Sequence, residues 1–278
     1  MKLDNNVVAL VTGGASGLGK ATVVNLLSKN VRVFIADMNE KDGNDLVQEY
    51  GHERCQFQKT DVSDENQVKS MINACVEAFG AIHFLLNSAG VISAGLLVAG
   101  KVKIIFQNFF KQKINKQKNQ DKTINTAELE RVLKINVVGT FNVSKYVAMQ
   151  MVKQNYINQE FKERGVIINV ASVAGIEGQR GQTVYSASKG AIIGMTLPMA
   201  RELGSYGIRV CTIAPGIFET PMGNRITEQY IIGLKKASAL GRIGQPKEFA
   251  DAICGLAINS FVTGSVFRID GGIRLPHM

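Results

Sequence analysis

The chain has 278 residues, 45% hydrophobic and 20% charged, which is the balance of a globular protein long enough to bury a large core. Disordered, collagen-like and disulfide-stapled classes are excluded, and no uncharged apolar run reaches the roughly 18 residues that span a bilayer. Lys and Arg number 32 against 23 Asp and Glu, and the resulting +9 admits nucleic acid, an anionic membrane surface or a phosphate-bearing ligand as partner.

Apolar β-branched runs alternate with longer helical patterns from the first residues onward, the signature of βα units and a parallel sheet buried on both faces. Strands are predicted near 7–11, 31–36, 56–59, 82–87, 166–171, 208–213 and 265–269. Helices are predicted to begin near Gly17, Asn39, Asp64, Thr126, Thr183 and Pro246, several behind capping signals such as Ser63-Asp64-Glu65. The expected architecture is one α/β domain over residues 1–278, a doubly wound seven-stranded parallel sheet with helices on both faces. The first six residues lack an apolar run, so secretion is not expected. Cys55, Cys75, Cys211 and Cys254 have no CxxC spacing and no histidine at ligand distance, which predicts free thiols and no metal site.

One segment departs from the pattern. Residues 101–122 carry seven lysines against one Asp121, which is +6 of the total charge, within a narrow alphabet of Gln, Asn, Ile, Phe and Val. A surface insertion fits there because loop-closure entropy grows slowly with length. Phe106, Phe109 and Phe110 among the lysines also permit a nucleic-acid-binding reading.

The first strand runs into Thr12-Gly13-Gly14-Ala15-Ser16-Gly17-Leu18-Gly19 and then a helical pattern. Glycines let the backbone turn tightly and approach a pyrophosphate, and a helix N-terminus offers free N–H groups and partial positive charge. A nucleotide-triphosphate loop is excluded, because Ala21 stands after Lys20 where Ser or Thr must hold magnesium. Asp37 ends the second strand, where a carboxylate can bind the ribose hydroxyls of NAD and would repel the 2′-phosphate of NADP. Farther on, Tyr185 and Lys189 stand one helical turn apart, so the ammonium can sit beside the phenol and lower its pKa from about 10 toward the working range. Ser172 follows the fifth strand.

Taken in order, TGGASGLG at 12–19, Asp61-Val62, Asn87-Ser88-Ala89-Gly90, Asn136, Ser172, Tyr185 with Lys189, and Pro215-Gly216 resemble the short-chain dehydrogenase/reductase family over nearly the whole chain. Ser88 departs from the usual Asn-Asn-Ala-Gly. The stretches GTFNV at 139–143, YSASKGAIIGMTLPMAREL at 185–203 and FRIDGGIRLP at 267–276 are similar to the branch that oxidises 3-hydroxyacyl-CoA.

That resemblance implies a single-domain Rossmann fold and an NAD-dependent oxidoreductase interconverting secondary alcohol and ketone. The implied substrate is a 3-hydroxyacyl-CoA of fatty-acid or branched-chain amino-acid breakdown, with hydroxysteroids as further alcohols. Tyr185 would be the acid/base, Lys189 its partner on the nicotinamide ribose, Ser172 the donor to the reacting oxygen, and Asn136 the holder of a water that relays protons to Lys189. Around NAD, Gly13, Ser16, Gly17, Leu18 and Gly19 would form the pyrophosphate turn. Asp61 and Val62 would meet adenine, Asn87, Ala89 and Gly90 the adenosine side, and Pro215, Gly216 and Thr220 the nicotinamide.

The resemblance further implies a homotetramer in the mitochondrion, against which the lack of a visible presequence favours the cytoplasm. Residues 217–243 are expected to close over the substrate as a lid, with Lys235 and Lys236 toward CoA phosphates. The alternatives are a 3-oxoacyl carrier-protein reductase, against which Asp37 argues, and a nucleic-acid-binding scaffold acting through 101–122.

Overall fold

The computed structural model describes residues 1–98, 123–221 and 228–275. β1 (Val8–Thr12), β2 (Arg32–Asp37), β3 (Cys55–Lys59), β4 (Phe84–Asn87), β5 (Gly165–Val170), β6 (Ile208–Pro215) and β7 (Val266–Ile269) form one sheet. Its order is β3-β2-β1-β4-β5-β6-β7, and every neighbouring pair is parallel. All seven predicted strands are present, their ends moved by at most two residues. Parallel neighbours need long crossovers, and these carry α1 (Gly17–Ser28), α2 (Glu40–Tyr50), α3 (Glu65–Phe79), α4 (Thr126–Leu133), α5 (Thr140–Val152), α6 (Thr183–Gly204), α7 (Glu228–Ala237) and α8 (Pro246–Ile258).

The two-residue period of a strand sends alternate side chains to opposite faces. Ala9, Val11, Val33 and Ile35 pack with Leu26 and Leu27 of α1, Leu46 of α2 and Phe249 of α8. Val8, Leu10 and Phe34 pack on the other face with Val68 and Met71 of α3, Val143 and Val147 of α5 and Ala200 of α6. Both faces are therefore covered, which is why β1 is apolar at four of five positions and buried at all five.

Local chemistry fixes several helix starts. Asn39 Oδ1 accepts from the Asp42 N–H at 3.2 Å, and Asp64 Oδ1 accepts from the N–H groups of Asn66 and Gln67 at 2.9 and 3.2 Å. The single long helix expected from Thr126 is instead α4, a π-helical segment Lys134–Gly139, and α5. A π-turn inserts an extra residue per bond and re-aims the side chains that follow it. Asn136 sits within that segment and is 1% exposed.

The basic run at 101–122 lies outside the described residues. Its flanks meet, the Ile124 N–H donating to Leu96 O at 2.9 Å. Of the segment 217–243, residues 222–227 also lie outside, while α7 and a bridge between Phe218 and Gly244 are formed. Among the described residues, no helix is long and apolar enough to cross a membrane.

Candidate active site

Strand order reverses beside β1, and in such a sheet the crevice outside the strand C-termini receives the ligand. A cavity of about 540 Å³ occupies that crevice, within the size range of small-molecule sites. At one end it is walled by Asp37, Met38, Asp61 and Val62, in the middle by Gly13, Ser16, Gly17 and Leu18, and at the other by Ser172, Tyr185 and Lys189.

Backbone contact shapes the middle. Gly13 has φ +67°, and a Cβ there would lie 2.7 Å from the Ala89 amide nitrogen, so the turn after β1 and the loop after β4 touch through their main chains. Thr12 Oγ1 accepts from that same Ala89 N–H at 3.3 Å. The first turn of α1 opens onto the cavity, where Ser16, Gly17 and Leu18 line it, so free N–H groups and the positive end of the helix meet any anion bound there. Asp37 is pinned by two main-chain donors, Ala15 N–H to Oδ2 at 3.0 Å and Asn39 N–H to Oδ1 at 2.9 Å. Its carboxylate thus fixes both the end of β2 and the glycine turn. A glycine cradle, a helix N-terminus and a carboxylate along one continuous cleft fit a dinucleotide.

At the reacting end, Tyr185 lies in the first turn of α6 and Lys189 one turn later on the same face. Lys189 Nζ donates to Val170 O at the end of β5 at 2.8 Å and lies 5.8 Å from the Tyr185 ring centre. Ser172 caps a short 3-10 turn, its Oγ accepting from the Ala174 N–H at 3.1 Å. The same hydroxyl is hydrogen-bonded to the Tyr185 phenol.

Burial pushes the Tyr185 hydroxyl above its ordinary range, and the Ser172 hydrogen bond pulls it back down. Burial also pulls the Lys189 ammonium down to about 8. The sequence predicts that the ammonium lowers the phenol. Among the protein groups alone, desolvation outweighs that attraction, because both side chains share one low-dielectric cleft.

Several predicted residues sit behind the cavity wall. Asn87 is 3% exposed and turns inward, its Nδ2 donating to Ser144 Oγ and to Asn169 Oδ1, each at 2.9 Å. Alternation along β4 turns it onto the sheet face that α5 covers, and it is not among the residues that line the cavity. Gly19 does not line the cavity either, and a Cβ there would lie 2.1 Å from Gly13 O, so it permits the turn to close against α1. Asn136 accepts from the Val91 N–H at 2.8 Å and donates to Val91 O at 2.9 Å and to Ser188 Oγ at 3.0 Å. Its amide clamps the loop after β4 to α6.

The remaining predicted positions, Ala89, Gly90, Pro215, Gly216 and Thr220, all line the cavity. Sequence reasoning passed over Ser188, which carries Asn136 and itself donates to Tyr185 O at 2.7 Å. It also passed over Ser144 and Asn169, whose roles have no local signal. The four cysteines are free and buried, and burial raises Cys55 to about 12 and Cys211 to about 11, far from the thiolate a nucleophile needs.

The short chain dehydrogenase family profile matches residues 7–231. A 3-hydroxyacyl-CoA dehydrogenase type-2 of Drosophila melanogaster is 40% identical over 271 residues, covering 97% of this chain and 98% of that protein. The Homo sapiens protein of the same name is 40% identical over 270 residues, covering 97% and 95%. A 3-oxoacyl-[acyl-carrier-protein] reductase of Thermotoga maritima is 35% identical over 277 residues, covering 98% and 99%. The crystal structure of 3-hydroxyacyl-CoA dehydrogenase type-2 from Mycobacterium avium superposes with a TM-score of 0.85 at 32% identity, over 100% of both chains.

Proposed function

This chain belongs to the short-chain dehydrogenase family of oxidoreductases, and we propose from that premise that it oxidises the hydroxyl of a 3-hydroxyacyl-CoA thioester with NAD. The observation that carries the reading is the grouping of Ser172, Tyr185 and Lys189 at one end of a cleft whose other end is closed by Asp37. A bound NAD supplies the hydride acceptor, and Asp37, the turn at Gly13 to Gly19, Ala89, Lys189 and Thr220 are the residues that would hold it.

Tyr185 takes the proton of the substrate hydroxyl at its phenolic oxygen as the carbonyl forms. Ser172 steadies the reacting oxygen and lowers the proton affinity of the phenol, a contribution magnified where water is excluded. Lys189, held to Val170 O, keeps a cation beside the phenolate once it forms. Asn136 contributes by holding Val91 and Ser188 rather than by touching substrate.

The Asp37 carboxylate supports NAD over NADP, since a 2′-phosphate would face an anion with both oxygens already occupied by backbone donors. The relatives named 3-hydroxyacyl-CoA dehydrogenase type-2 support the acyl-CoA substrate above the carrier-protein reductase alternative. The sequence resemblance is the support for a homotetramer, a mitochondrial location and hydroxysteroids as further substrates. Exposed Val138, Phe141 and Met149, at helical spacing on one side of the π-segment and α5, offer an apolar face to a second copy.

Steady-state rates on 3-hydroxyacyl-CoA chain lengths and hydroxysteroids, each with NAD and NADP, test the proposal. Turnover of the thioesters with NAD preferred is expected. A clear NADP preference overturns the cofactor assignment, and inactivity on every thioester overturns the substrate.

A further inference from the structure

We propose that residues 270–275 form a strap that walls the substrate end of the cavity, with Leu275 as the side chain that limits substrate size and Glu177 and Arg268 as the pair that holds it in place. The inference rests on the oxidoreductase reading above and deepens it.

After β7 the chain turns through Gly271 and Gly272 at φ +62° and +74°. A Cβ on Gly271 would lie 2.9 Å from Ser238 Oγ, and one on Gly272 would lie 2.9 Å from Ala239 Cβ, so the strap presses on the residues that follow α7. Ser238 Oγ donates to Gly271 O at 3.1 Å. The strap is thereby tied to the expected lid.

Its far end is tied to the catalytic loop. The Leu275 N–H donates to Glu177 Oε2 at 3.2 Å, and Glu177 lies five residues beyond Ser172. Arg268 of β7 donates through Nη1 to Glu177 Oε1 at 2.5 Å. It holds Asp270 Oδ2 through Nε at 2.7 Å and Ile273 O through Nη2 at 3.0 Å. Arg274 Nε adds a weaker contact to Glu177 at 3.4 Å. One carboxylate therefore joins β7, the strap and the loop that carries Ser172.

These anchors tie Leu275 to the loop that carries Ser172, and it lines the same cavity as Ser172 and Tyr185. Its backbone is fixed by hydrogen bonds while its side chain contributes only apolar volume. Such a wall discriminates by length, since one methylene in a hydrophobic pocket changes selectivity by about 10-fold or more. The ion pair is about a quarter exposed on each side, so it is partly sheltered yet reachable by water.

The test uses the full chain and its Leu275→Ala, Glu177→Gln and Glu177→Asp variants. The ratio of kcat/KM between long and short 3-hydroxyacyl-CoA is expected to rise about 10-fold in Leu275→Ala, carried by KM. Glu177→Gln, a positioning variant, should move the ratio the same way by about threefold, with partial rescue in Glu177→Asp and faster amide exchange at 271–275. An unchanged ratio in Leu275→Ala overturns the wall. Unchanged amide exchange in Glu177→Gln overturns the latch. A wild-type chain inactive on every thioester overturns the functional reading instead, and the same ratios are then read on whichever hydroxysteroids it oxidises.

Discussion

The end of the cavity at Asp37 is assembled from the strand-to-loop junctions of β1, β2, β3 and β4, all within residues 12–90, whereas the end at Tyr185 draws Ser172, Phe218 and Leu275 from segments far apart in the chain. The first is held by main chain against main chain, as where Gly13 meets Ala89. The second is held by side chains, through the Glu177–Arg268 pair and apolar contact. Backbone contacts tolerate almost no substitution, because an added Cβ collides with atoms that cannot turn aside. Side-chain contacts can be exchanged one at a time. One scaffold can therefore keep its dinucleotide end fixed while its substrate end is retuned.

The largest effect expected is at the boundary between the two regions. Tyr185→Phe removes the proton acceptor and should lower oxidation about 10³-fold. NADH binding, read by the fluorescence of the dinucleotide, should persist, and its loss would show that the two ends are not separable.

Ser172→Ala should cost about 100-fold in kcat. It also removes the hydrogen bond that lowers the Tyr185 pKa. Oxidation needs the phenolate, so the rising limb of the pH–rate profile should move to higher pH. A profile that falls in height without moving would limit Ser172 to contacts with the substrate.

At the cofactor end, Asp37→Ser removes a charged acceptor worth about 1.5–3 kcal/mol. The NAD-over-NADP preference in kcat/KM should fall at least 10-fold, with little change in the acyl-chain profile. A change in both would couple the ends through the glycine turn that Asp37 holds at Ala15.

The smallest effect belongs to the exposed lysines of α7. Lys235→Glu should raise the KM for acyl-CoA about twofold at low salt, with the difference lost at high salt, as for any exposed ion pair. An effect that survives high salt would mean a buried contact with the thioester.

The sheet was legible because parallel strands buried on both faces must be largely apolar, as at Val8 to Val11 and Val166 to Ile168. The glycine turn and the Tyr185–Lys189 spacing were legible because each is a local geometric requirement. The orientations of Asn87 and Asn136 were not legible, since a polar residue near a site gives the same sequence signal whether it faces the cavity or the protein interior. The π-segment was invisible for a related reason. The residues around Asn136 fit an α-helical pattern equally well, and the bonds its amide makes to Val91 and Ser188 come from segments distant in the chain.

By itself, then, the sequence determined the strand order's raw material, the dinucleotide turn and the acid/base pair, because these rest on contacts between neighbours in the chain. Only the tertiary structure decided which polar side chains reach the cavity, how far burial shifts Tyr185 and Lys189, and that Leu275 returns to within hydrogen-bonding distance of Glu177. Those depend on which distant segments share a volume, and no short stretch of sequence records that.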